Sequence, residues 1–115
     1  MSAGTTADVE RDGDWLVVSW PREVDMANAD SVRAQTLGEM RNTDEGLTVN
    51  LSSVSYIDSA GLRSLLTIRR LLADRQQRVM LVIPEGSVLD RAIEIAGIPA
   101  VIPVHRSIAD AHAHR

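Results

Sequence analysis

Residues 49–66 read VNLSSVSYIDSAGLRSLL, and a change of pattern inside them decides the fold. An apolar run (Leu47, Val49, Leu51, then Val54, Tyr56 and Ile57) leads into Asp-Ser-Ala-Gly, and helical periodicity starts at once. That order sets Ser59 where the chain leaves a sheet and enters a helix. A serine there sits among free backbone N–H groups and at the positive end of a helix dipole. It can hold a nucleophile, bind an anion, carry a phosphate or simply cap the helix.

The flanking sequence alternates strands and helices. Ala7 to Glu10 and Trp15 to Trp20 form two expected strands around the turn signal Asp12-Gly13-Asp14, a hairpin closed by Pro21. Asp25 to Arg41 has helical spacing at Met26, Ala29, Val32, Leu37 and Met40, with Asp25 or Asn28 as its cap. After a loop at Asn42 to Gly46, Leu47 to Leu51 is a buried strand. Ser59 to Arg75 is the strongest helix, with Leu62, Leu65, Leu66, Arg69 and Leu72 on one stripe.

Arg78 to Ile83 is the next strand, followed by a helix from Ser87 to Ala96 that Gly97 ends. Val101 to Val104 is a last short strand, and Ser107 opens a terminal helix. The pattern predicts one α/β domain over residues 1–115, with its core at about 7–111. Its expected sheet is about five-stranded, mixed but mostly parallel, with an N-terminal hairpin and about four helices packed on it.

Composition narrows the chemistry. A chain of 115 residues is large enough to bury roughly two thirds of its unfolded surface. There is no cysteine, so no disulfide framework, thiol nucleophile or cysteine zinc site. All its basic side chains other than histidine are arginine, which removes Schiff-base and Walker-type lysine chemistry. No 18-residue apolar stretch is present. The opening MSAGTTADVERDGD has neither the basic start nor the apolar core of a secretory signal. These features lead us to expect a cytoplasmic protein without membrane insertion. The net charge of −4, with no basic run, argues against nucleic acid as a partner.

Catalysis by this chain is not expected. Ser59, His105 and Asp25 or Asp58 supply the residue types of a hydrolase triad, but Ser59 lacks the Gly-x-Ser-x-Gly elbow. There is no Gly-rich phosphate loop or dinucleotide fingerprint. His105, His112 and His114 are the metal candidates, two of them in a polar tail, and zinc needs three or four ligands. No metal and no cofactor is therefore expected. Trp15 and Trp20 are expected to bury or shield the sheet edge, with Trp20 beside Pro21 as a possible partner anchor.

WPREVDMANADSV at 20–32, YIDSAGL at 56–62 and IAGIPAVIPVHRSIADA at 95–111 together resemble the STAS family. Within it, the chain looks most like bacterial anti-anti-sigma factors (anti-sigma factor antagonists). The similarity runs from about Ala7 to Ala111. The resemblance implies a switch: the dephosphorylated protein binds an anti-sigma factor, often itself a serine kinase, and frees a sigma factor. Phosphorylation of the serine after the aspartate ends the interaction, and a phosphatase restores it.

Carried over, the acceptor is Ser59, preceded by Asp58, and the acidic residue near it is Asp25. Asp25, Asp58, Ser59, Ala60, Gly61, Leu62 and Arg63 then form the partner-binding switch. The family's Gly-Glu-Leu-Asp corresponds to Arg22-Glu23-Val24-Asp25, so an arginine replaces the usual glycine. Gly61 either meets a backbone requirement or leaves room for a partner's backbone. Arg63, four residues after Ser59, shares its helix face and is a candidate to steer an acidic partner or pair with the phosphate. Family members of this size resemble monomers. A competing use of the fold is as a non-phosphorylated accessory subunit of a lipid-transporting ABC system, and a third is as a scaffold in stress-signalling assemblies.

Overall fold

The computed structural model describes residues 7–115. The opening MSAGTT, part of the stretch read as carrying no secretory signal, lies outside the described residues. Strands β1 (Asp8–Asp12), β2 (Trp15–Ser19), β4 (Gly46–Asn50), β6 (Arg78–Val82) and β7 (Val104–His105) form one sheet in the order β1-β2-β4-β6-β7. β1 and β2 are the antiparallel hairpin, and β2–β4, β4–β6 and β6–β7 are all parallel. Helices α1 (Ala29–Glu39), α2 (Ser59–Ala73), α3 (Asp90–Ile95) and α4 (Ile108–Ala113) complete the expected count. Among the described residues, no helix is long and apolar enough to cross a membrane.

Side-chain alternation sorts the strands into two cores. Leu16, Val18, Leu47, Val49, Val79 and Leu81 pack on one face with Val32 of α1, Leu65, Ile68 and Leu72 of α2, and Ile93 of α3. Trp15, Met80 and Val82 point the other way and pack against Ala111 and Ile108 of α4. Because β2, β4 and β6 are covered on both faces, they are nearly continuous apolar runs.

A second, two-stranded sheet was not foreseen. β3 (Glu23–Val24) pairs in parallel with β5 (Tyr56–Ile57) beyond the main sheet. Segments this short carry no periodicity, so their pairing has no signature in the sequence.

Element ends moved where local hydrogen bonds compete with the helix. α1 begins at Ala29, not Asp25, because Asp25 and Asn28 hold residues 25–28 in a turn. The Asp25 carboxylate accepts from the Ala27 N–H at 2.9 Å, and the Asn28 amide oxygen accepts from the Asp25 N–H at 2.9 Å. Neither side chain caps α1, whose Ncap residue Asn28 makes no side-chain capping bond. Met26, expected on the buried face of α1, is therefore in the turn and 83% exposed. At the other end Met40 is extended and the Arg41 N–H donates to Asp44.

On α2 the buried stripe is Gly61, Ser64, Leu65, Ile68 and Leu72, with Leu66 and Arg69 outward. α3 starts at Asp90 because the Ser87 hydroxyl accepts from Leu89 and keeps 87–89 in a turn. Gly97 ends that segment at φ 73°, in the left-handed region that favours glycine. The chain then forms a 3-10 turn at Ile98–Ala100, which delays the last strand from Val101 to Val104. Ser107 caps α4 as expected, accepting from the Asp110 N–H at 3.0 Å.

Both tryptophans are buried. The Trp20 indole N–H donates to the Thr36 hydroxyl at 3.1 Å, which removes Trp20 as a partner anchor. Trp15 closes over Gly46, which begins β4 instead of ending the loop. A Cβ at Gly46 would lie 2.5 Å from the Trp15 ring and 2.8 Å from the Arg78 carbonyl oxygen. Gly46→Ala is expected to destabilise the fold by about 1–3 kcal/mol, read from urea midpoints with the slope unchanged. A neutral result would show that the ring moves aside freely.

Candidate functional site

The centre of the site is a carboxylate. Asp58, not Ser59, is the N-cap of α2. Its Oδ1 accepts from the N–H groups of Ala60 (2.8 Å) and Gly61 (3.1 Å), and its Oδ2 accepts from the Met26 N–H at 3.0 Å. One side chain thus fastens the start of α2 to the turn before α1. The Asp58 N–H donates to the Val24 carbonyl at 3.1 Å, continuing the β3–β5 ladder into the same junction. That ladder brings Asp25 and Met26 alongside Asp58 and Ser59.

These bonds hold the Asp58 carboxyl below its ordinary value of 3.8, chiefly through the Gly61 N–H, with desolvation opposing and the Met26 and Ala60 N–H groups assisting.

Ser59 is the first residue of α2 and is exposed. Its hydroxyl makes no hydrogen bond among the described residues, so capping is not its role. The free N–H groups expected around it are mostly taken: Ala60 and Gly61 donate to Asp58, and Leu62 donates to the Asp58 carbonyl at 3.0 Å.

Gly61 faces inward. A Cβ there would sit 2.5 Å from Ile57 Cγ1 and 2.9 Å from the Val24 carbonyl oxygen. Its room is used by β3 and β5 and not by a partner's backbone. Ala60 and Leu62 are half-buried against the main core. Arg63 is exposed on the Ser59 face and pairs with no carboxylate among the described residues. Asp25 is half-buried, with its carboxylate on the Ala27 N–H.

Arg22 is exposed, and its carbonyl accepts from the Ser55 N–H at 2.7 Å and the Tyr56 N–H at 3.3 Å. Its backbone is not left-handed, so the family glycine is replaced there without strain.

Three surface groups near this junction were not picked out from sequence: Met26 (83% exposed), Tyr56 (53%) and Leu66 (38%). Met26 and Tyr56 flank the Asp58 clasp, and Leu66 lies two turns along α2 from Ser59. Met26 and Leu66 are expected on helix stripes and Tyr56 in the apolar run. The turn before α1 exposes Met26, Tyr56 is exposed on β5, and the rotation of α2 leaves Leu66 outside its buried stripe.

The residue types of a hydrolase triad do not assemble. His105 faces Asp110 and is stacked on His114, with ring centroids 5.0 Å apart. It shares a cavity with Arg69 and Ala73, ten or more residues along α2 from Ser59, about 15 Å of helix. His112 is drawn elsewhere, its Nδ1 lying 2.7 Å from the Asp12 carboxylate.

Residues 6–111 match the model of the STAS domain. The chain belongs to the STAS domain family. Among solved structures it is similar to an anti-sigma factor antagonist from Mycobacterium paratuberculosis, at 24% identity and a TM-score of 0.84, covering 99% of this chain and 97% of that one. A putative anti-sigma factor antagonist from Thermotoga maritima gives 19% identity and a TM-score of 0.82, covering 94% and 92%. The Bacillus cell-fate determinant SpoIIAA in its phosphorylated form gives 17% identity and a TM-score of 0.67, covering 96% and 100%. At these identities the likeness establishes the fold. No curated protein sequence matches the chain.

The depressed carboxyl sets a pH dependence. The unfolded state binds the proton more readily than the folded one, so this contribution is complete above the unfolded value and is lost as pH falls through the folded one. Asp58→Asn is expected to be less stable than wild type at pH 7, with the gap closing below about pH 4. Urea midpoints from pH 2.5 to 7 test this, and a gap that does not change with pH contradicts the role given to the charge.

Proposed function

We propose that this protein is a phosphorylation-controlled anti-sigma factor antagonist. Its dephosphorylated form binds an anti-sigma factor that is also a serine kinase and so frees a sigma factor. Phosphorylation of Ser59 ends the interaction, and a phosphatase reverses it. In this reading the chain is a cytoplasmic, monomeric substrate and binding module, not an enzyme.

The observation that carries the reading is the division of labour at the start of α2. Asp58 does the capping, and the adjacent Ser59 hydroxyl is exposed and has no hydrogen-bond partner among the described residues. A kinase can reach that hydroxyl without unmaking the helix terminus. The structural neighbours named as anti-sigma factor antagonists, among them SpoIIAA, which is solved in both unphosphorylated and phosphorylated forms, support the same reading.

The clasp also explains why phosphate acts outward. Phosphorylation adds a charge of about −1.5 to −2. With the Ala60 and Gly61 N–H groups committed to Asp58, that charge is not neutralised by the helix terminus. It adds to Asp58 and Asp25 in a surface bordered by Met26, Tyr56 and Leu66. An acidic partner that docks on this apolar border is repelled, with affinity falling about 10- to 100-fold. Arg63, on the same face, steers such a partner and pairs with the phosphate once it is present.

Incubation of wild type and Ser59→Ala with candidate serine kinases and ATP, followed by intact mass, tests the acceptor. Wild type is expected to gain about 80 Da and the variant nothing. A gain retained by Ser59→Ala places the acceptor elsewhere and removes Ser59 from that role. No gain with any kinase encoded near this gene overturns the switch in favour of a non-phosphorylated STAS accessory subunit of a lipid-transporting ABC system. Arg63→Glu is expected to weaken anti-sigma factor binding about 10-fold and to slow phosphorylation. Unchanged values would remove Arg63 from the interface.

A further inference from the structure

At the far end of the chain, β7 and α4 bring together side chains that are separate in sequence. His105 on β7, Asp110 on α4 and His114 just past its end each offer one ligand atom, and the three atoms all lie within 4.8 Å of one another. We propose that His105, Asp110 and His114 form a binding site for a divalent transition-metal ion of the zinc type.

The donor set suits such an ion: two imidazoles and one carboxylate are a borderline nitrogen–oxygen set. The placement of each ligand follows from the fold. Parallel pairing of β7 with β6 sets His105 opposite Val82. The Ser107 cap starts α4 so that Asp110 and His114, four residues apart, share one helix face. The Asp110 carboxylate is 3.9 Å from His105 Nδ1.

His114 is already oriented. Its Nδ1 lies 2.8 Å from the Asp110 carbonyl oxygen, so Nδ1–H donates and Nε2 carries the free lone pair. A backbone partner of this kind usually fixes the ring of a metal-binding histidine.

Tetrahedral zinc holds its ligand atoms about 3.3 Å apart, from bonds of about 2.0–2.1 Å. The three donors must therefore close by about 1.5 Å at most. Asp110 is exposed and closes its share by side-chain rotation, and exposed His114 shifts with the last turn of α4 while keeping its bond to the Asp110 carbonyl. The His105 side chain is only 13% exposed and supplies a fixed anchor. His105 and His114 also line a cavity of about 470 Å³, which leaves the remaining coordination positions open to water. Bound metal joins α4 to the sheet edge beside Arg69 and Ala73 of α2, about 15 Å or more of helix from Ser59, and so does not involve the proposed switch.

Isothermal titration of the full chain, free of any histidine tag, with ZnCl2 tests the site. The expected result is one ion per chain, with His105→Ala, Asp110→Ala and His114→Ala each weakening affinity at least tenfold. His112→Ala is expected to leave it unchanged. Melting each variant without zinc checks its fold. If His105→Ala does not fold, exposed His114→Ala and Asp110→Ala carry the test. At free zinc ten times the dissociation constant, amide exchange from local opening of residues 104–115 is expected to slow about tenfold. Binding that is absent, or equal in wild type and His114→Ala, overturns the proposal.

Discussion

The Asp58 carboxylate is the interaction on which the site depends. It takes two N–H groups of the first turn of α2 and one from the turn before α1, so it joins segments more than thirty residues apart in the chain. An ionised acceptor suits this role, since bonds from N–H groups to a charged oxygen are stronger than neutral ones. The β3–β5 ladder and the lack of a Cβ at Gly61 let the two segments approach closely enough for those bonds to form. Helix start, turn and the surface around Ser59 are therefore one assembly.

This arrangement gives adjacent residues different structural duties: Asp58 caps α2 and Ser59 does not. If Ser59 capped the helix, modifying it would remove a bond the fold uses. Because Asp58 caps, the helix takes no side-chain cap from Ser59, whose exposed hydroxyl has no hydrogen-bond partner among the described residues. The same carboxylate occupies the Ala60 and Gly61 N–H groups beside Ser59.

The sheet supplies a second separation. Its two faces are packed by different helices, α1, α2 and α3 on one and α4 on the other. The candidate site is at the start of α2, and the His105–Asp110–His114 cluster is where α4 meets the short edge strand β7. Asp12 holds His112 and Arg115 at 2.7 and 2.9 Å, fastening α4 to the β1–β2 hairpin and taking His112 out of that cluster.

The order of strands and helices, the hairpin at Asp12-Gly13-Asp14, the parallel sheet and the importance of the Asp58-Ser59 junction were legible in the sequence. Each rests on local signals: apolar periodicity, turn residues, and a change from strand to helix spacing within a few residues. Which of Asp58 and Ser59 caps α2 was not legible, because both are good capping residues and the choice depends on where Met26 lies. The inward role of Gly61, the outward turn of Met26 and Tyr56, and the union of Asp110 with His105 and His114 were hidden for the same reason. They arise from contacts between segments distant in sequence, and no local pattern records a partner supplied by the rest of the fold.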